Sequence, residues 1–78
     1  MITLQEMSGY LISSYEELTA LKDGDVVYSC EFDFDDDMHF LERDVADGGV
    51  LAPWADCSVV EIDLYYNGDH MVMVVDLS

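Results

Sequence analysis

The last twenty residues constrain the fold more than any other part of the chain. Two β-rich runs flank Asn67-Gly68, the preferred pair for a two-residue type I′ turn. Such a loop pairs Tyr66 with Asp69. It places Leu64 opposite Met71, Ile62 opposite Met73 and Val60 opposite Val75, all on one face. Glu61, Asp63 and Tyr65 then share the other face with His70, Val72 and Val74. A three-residue loop would pair Val60 with Asp76 and spoil the apolar side. Any fold for this chain is built around that antiparallel hairpin.

Upstream, Val26, Tyr28, Cys30, Phe32 and Phe34 alternate with Val27, Ser29, Glu31, Asp33 and Asp35, the pattern of a half-buried strand with an acidic outer side. Before it, Thr3-Leu4-Gln5-Glu6 reads as a capping box. Leu4, Met7, Leu11, Tyr15, Leu18 and Leu21 recur at three- and four-residue steps, as on one face of a helix. Ser14-Tyr15-Glu16-Glu17 is a second capping box, so residues 3–21 read as one helix or as two broken at Ser13–Ser14. Lys22-Asp23-Gly24-Asp25 ends the segment in a turn. Asp36 or Asp37 can cap a short helix in which Met38, Leu41 and Val45 line up before Gly48. Residues 50–56 read as a loop whose Trp54 packs onto the core. The expectation is one α+β domain over residues 1–78. An antiparallel sheet of about three strands would end in the hairpin, with the helices on one face.

Charge decides the functional classes. Two Lys and Arg against 18 Asp and Glu give −16, about one net negative charge per five residues, where a small domain needs a magnitude of roughly 2–8 for solubility. Leu, Ile, Val and Phe make up 23 of 78 residues, more than the roughly 20% below which acidic chains stay unfolded. Lys22 and Arg43 are the only strong cations, which excludes direct binding to nucleic-acid backbones or to an anionic membrane. No apolar run reaches the roughly 18 residues that span a bilayer. Cys30 and Cys57 are too few for a disulfide framework, so both thiols are expected to be reduced.

The carboxylates are also patterned. Glu31, Asp33 and Asp35 would stand about 6.6–6.8 Å apart along one strand face. Glu61 and Asp63 would form a second row, with Asp36 and Asp37 beyond the first. Like charges at ~7 Å in water cost about 0.6 kcal/mol per neighbour, and a fold gains nothing from them. Duplex DNA carries comparable rows, so such a face can enter a cationic groove built for nucleic acid. Three rival causes of acidity have weaker support. Salt adaptation fits poorly with the 51% hydrophobic content. Asp33-x-Asp35-x-Asp37 opens like a calcium loop with Asp44 at its twelfth position, but Met38 stands where that loop needs Gly. Cys30, His39, Cys57 and His70 lack zinc-ligand spacing; each Cys reads as a small buried hydrophobe and each His as an exposed polar residue. Neither metal nor cofactor is expected. Without a nucleophile and base at motif spacing, an enzyme is not expected either.

In size, charge and acidic sheet face the chain resembles the small phage-encoded DNA mimics that disarm bacterial defence. Anti-CRISPR proteins, anti-restriction proteins and uracil-glycosylase inhibitors belong to this group. It is most similar to an anti-CRISPR protein. That resemblance implies stoichiometric inhibition of a basic nucleic-acid-binding partner, a type I CRISPR effector complex first among them, in the cytoplasm of an infected bacterial host. Glu31, Asp33, Asp35, Asp36, Asp37, Glu61, Asp63 and Tyr65 would make the contacts. The alternative is an acidic adaptor or antitoxin-like partner that binds through Tyr65, Tyr66 and Trp54, aromatic side chains being common interface anchors. On strand phase Trp54 and Tyr66 belong to the core and Tyr65 points outward. The oligomeric state is left open.

Overall fold

The computed structural model describes residues 2–11, 13–32 and 39–78. Among these the fold is α+β, with a mixed four-stranded sheet, a two-stranded ribbon and two one-turn helices. The expectations for Asp33, Phe34, Asp35, Asp36, Asp37 and Met38, including the calcium-like run and the cap of the middle helix, lie outside the described residues.

Helix α1 (Leu4–Ser8) starts where the capping box requires. Thr3 Oγ1 accepts from the Glu6 amide at 3.2 Å, and Glu6 Oε1 accepts from the Thr3 amide at 3.3 Å. Beyond Gly9 the helical reading fails. Ser14–Tyr15 is strand β1 and Glu17–Lys22 is strand β2, where Leu18 and Ala20 are buried. The three- and four-residue spacing of Tyr15, Leu18 and Leu21 coincides with a period-two pattern, and burial between two neighbouring strands decides in favour of the strand. Glu16 and Glu17, expected on a helix, therefore sit at the entry to a central strand.

Strand β3 (Asp25–Glu31) follows across Asp23-Gly24, with φ of 53° and 88°. This is where the two-residue type I′ turn occurs, since both central residues have positive φ. A bulge between Ala20 and Leu21 brings Tyr28 opposite Ala20 and Val26 opposite Leu21. The extra residue reverses the alternation, so Val26 is exposed while Val27 packs against the core.

Strand β4 (His39–Phe40) pairs with β1 and leads into α2 (Leu41–Val45). Leu41 and Val45 are buried as expected, and the N-cap position is Phe40, without a side-chain cap. A 3-10 turn at Ala52–Trp54 lays Trp54 against the core beside Tyr28.

Strands β5 (Val59–Tyr66) and β6 (Met71–Leu77) form the expected hairpin in a register two residues away from the one expected. Tyr66 pairs with Met71, Leu64 with Met73 and Ile62 with Val75. Asn67 lacks positive φ, so Asn67-Gly68 cannot form a type I′ turn. Instead Asn67 Oδ1 accepts from the amides of Asp69 and His70 at 2.9 and 3.0 Å. A shift of two preserves the alternation, so Ile62, Leu64, Met71, Met73 and Val75 stay on the inner side as expected, but a bulge between Val59 and Glu61 turns Val60 out to solvent and Tyr66 is exposed at the strand end.

The sheet order is β3-β2-β6-β5, with β2 and β6 parallel. The sheet is thus wider than three strands and mixed. Leu18, Ala20, Met73, Val75 and Leu77 from its centre pack with Leu4, Leu41, Val45, Leu51 and Tyr15. Both helices lie on that inner side.

Candidate functional site

The opposite face of the sheet follows from the pairing. Leu18, Ala20, Met73 and Val75 point inward, so the residues between them point outward. One outer row runs Glu31, Glu17, Val72, Tyr65 across the four strands, and the next runs Ser29, Thr19, Val74, Asp63. Glu61 stands beyond Asp63 on β5, opposite Asp76. Strands β3 and β5 are the two edges, three inter-strand steps or about 14 Å apart. Carboxylates thus mark both edges, with Thr19, Val72 and Val74 between them. Of the expected contact residues, Glu31, Glu61, Asp63 and Tyr65 are exposed and share this face. Tyr66, expected in the core, is 63% exposed at the strand end. Cys30 and Cys57 are half-buried free thiols, less enclosed than expected.

The sharpest geometry lies at the Glu31 end. Glu17 and Glu31 are direct cross-strand partners, and like charges placed so are destabilising. His70, expected to be exposed, is 6% exposed and fills this corner. Its Nε2 is 2.8 Å from Glu17 Oε1, and its Nδ1 is 3.2 Å from Asp69 Oδ2 and 4.0 Å from Glu31 Oε1. Hydrogen bonds to Glu17 first and Asp69 second raise its pKa above the ordinary value, because a carboxylate on each ring nitrogen favours the imidazolium. Glu16 holds the loop in place, its Oε2 accepting from the Met71 amide at 2.6 Å. Glu16 and Glu17 were missed as site residues because their strand was read as a helix. The run of Asp69 and His70 beside Gly68 was the available signal.

A second polar group is interior. Tyr15 donates its hydroxyl to Asp44, and both are buried. His39 Nδ1 lies 3.0 Å from both Asp44 oxygens, so this nitrogen carries the proton. The imidazole stacks on Phe32, centroids 3.5 Å apart, and is mostly covered rather than exposed as expected. Burial first, then Asp44, pushes the Tyr15 pKa far up. Asp44 is thus engaged in the core by Tyr15 and His39.

Among the described residues no helix is long and apolar enough to cross a membrane. Comparisons with protein families, curated proteins and solved structures give no match.

Proposed function

We propose that this chain is a stoichiometric inhibitor that occupies a cationic nucleic-acid-binding site on a protein partner, a type I CRISPR effector complex being the first target to test. The observation that carries this reading is the sheet face opposite the helices, with Glu31 on one edge strand, Glu17 beside it on β2, and Glu61 and Asp63 on the other edge strand. The two edges are separated by about 14 Å, on the scale of the ~12 Å major groove flanked by phosphate rows. Strand-borne carboxylates have little conformational freedom to lose on binding, which favours affinity. On this reading the protein acts in the cytoplasm of an infected bacterium, has no catalytic role and needs no cofactor.

The test is a gel-shift competition among effector complex, target duplex and protein. Loss of the DNA-bound band at equimolar protein is expected, with inhibition weakening as salt rises. Full loading of DNA at excess protein overturns the CRISPR target. Affinity that is independent of salt overturns the electrostatic mechanism.

A second reading, an adaptor or antitoxin-like partner, draws on Tyr65 and Tyr66, which are 48% and 63% exposed at the end of edge strand β5. Loss of binding on Tyr65→Ala, with charge reversals at Glu61 and Asp63 silent, favours this reading over mimicry.

A further inference from the structure

We infer that the corner formed by Glu17, Glu31 and His70 is a site for one divalent cation of the Zn²⁺ class. The three ligand groups come from distant parts of the sequence: β2, the end of β3, and the loop before β6. One oxygen from each carboxylate and a ring nitrogen lie within 4.8 Å of one another.

Two features of this corner call for positive charge, which the Nε2 proton of His70 supplies in the metal-free protein and a cation can take over. Glu17 and Glu31 face each other across the β2–β3 pair, an arrangement that is unfavourable without positive charge between them. The second feature is the orientation of the His70 ring. Asp69 Oδ2, 3.2 Å from Nδ1, accepts the Nδ1 proton. In the neutral tautomer set by that contact, the Nε2 lone pair faces Glu17 Oε1 at 2.8 Å. Two lone pairs at that distance require a proton between them, and this is the proton a metal ion would displace. This is the carboxylate–histidine–metal arrangement, in which the second ring nitrogen is held by an acidic partner. Metal binding would expel the Nε2 proton and take its place.

The donor set selects the ion. Imidazole with two carboxylates suits Zn²⁺, whereas Ca²⁺ and Mg²⁺ take oxygen ligands throughout. Zn–N and Zn–O bonds of about 2.0–2.2 Å place tetrahedral ligands roughly 3.3–3.5 Å apart. Reaching that spacing requires a small rotation of the carboxylates. Glu17 has to draw back from Nε2 by about 0.5–0.7 Å, and Glu31, whose oxygen stands 4.0 Å from Nδ1 and whose side chain is 64% exposed, has to swing toward Nε2, its open side leaving water as the fourth ligand. Glu16 stays outside the set because its carboxylate accepts from the Met71 amide.

The test is calorimetric titration of the metal-free protein with Zn²⁺, with no partner present, so it is independent of the proposed inhibition. One equivalent is expected to bind. Glu31→Gln and His70→Gln should each weaken binding at least tenfold, and Asp69→Asn about 10–100-fold. Glu42→Gln and His39→Gln should leave it unchanged. Glu31→Gln alters an exposed side chain, so it remains informative if His70→Gln does not fold. In ¹⁵N spectra the His70 Nε2 resonance should move on titration while Nδ1 stays protonated. Equal affinity for wild type and Glu31→Gln overturns the site. So does multi-equivalent binding that falls by the same amount for every neutralised carboxylate, which would be diffuse condensation on the −16 charge. Movement of the His39 resonances in place of those of His70 also overturns it.

Discussion

Gly49 is placed against the end of α2, where a Cβ would come within 2.7 Å of the Arg43 carbonyl oxygen and also meet that of Asp44. Both atoms are backbone, so neither can rotate away, and Gly49→Ala should destabilise by about 1–3 kcal/mol, as overpacking does. Urea unfolding checks this. Tyr15 is limited by chemistry rather than space. Tyr15→Phe keeps the ring in the core but removes a donor from buried Asp44, a loss of about 1–3 kcal/mol. Asp44→Ala should cost more by the same measurement, since it leaves both the Tyr15 hydroxyl and the His39 Nδ1–H without an acceptor.

Among the elements, those with local signals were legible in the sequence: the α1 capping box, the alternation of β3 from Tyr28 onward, the apolar line of α2 and the β5–β6 hairpin; the bulges that turn Val26 and Val60 outward carry no local signal. Strand β2 was not legible. Leu18 and Ala20 are its only fully buried side chains, and two positions give too short an alternation to outweigh a helical spacing. Its identity comes from β6, about fifty residues away in sequence. The His70 corner was hidden for the same reason, because it needs β2 beside β3 before Glu17 can meet Glu31. Its titration has a definite sign. The pKa of His70 is raised in the folded state, so its stabilising contribution is present in full below about pH 6.5, the unfolded value. That contribution disappears as pH rises through the higher folded value. In metal-free buffer, the urea midpoint of wild type should therefore fall over this window by more than that of His70→Gln. The outer face makes a further prediction. Glu61→Lys or Asp63→Lys should weaken inhibition strongly, whereas Glu42→Lys, of equal net charge but exposed on α2 away from that face, should mainly slow association. Inhibition constants and association rates on folded variants check this. Equal losses at all three positions would mean that bulk charge does the inhibiting.

At the scale of the whole molecule, 78 residues give a stability of about 4–12 kcal/mol, drawn down further by self-repulsion among the carboxylates. Met73 sits at the centre of the core on β6, wholly buried. Met73→Ala should cost about 2–5 kcal/mol, enough to bring the domain near its unfolding threshold, and a fall in melting temperature that eases with added salt would show the two effects together. The parallel pairing of β2 with β6 also bears on synthesis. While the chain is still being made, the β2–β3 hairpin can close by itself, but it has nothing against which to bury Leu18 and Ala20. Strand β5 likewise has no partner within the sheet until residues 71–77 leave the ribosome, since β6 alone joins the two halves. A nascent chain stopped short of Met71 should therefore remain open to proteases however long it waits. The domain then forms in one late step after β6 is released, and not progressively from its N-terminal end.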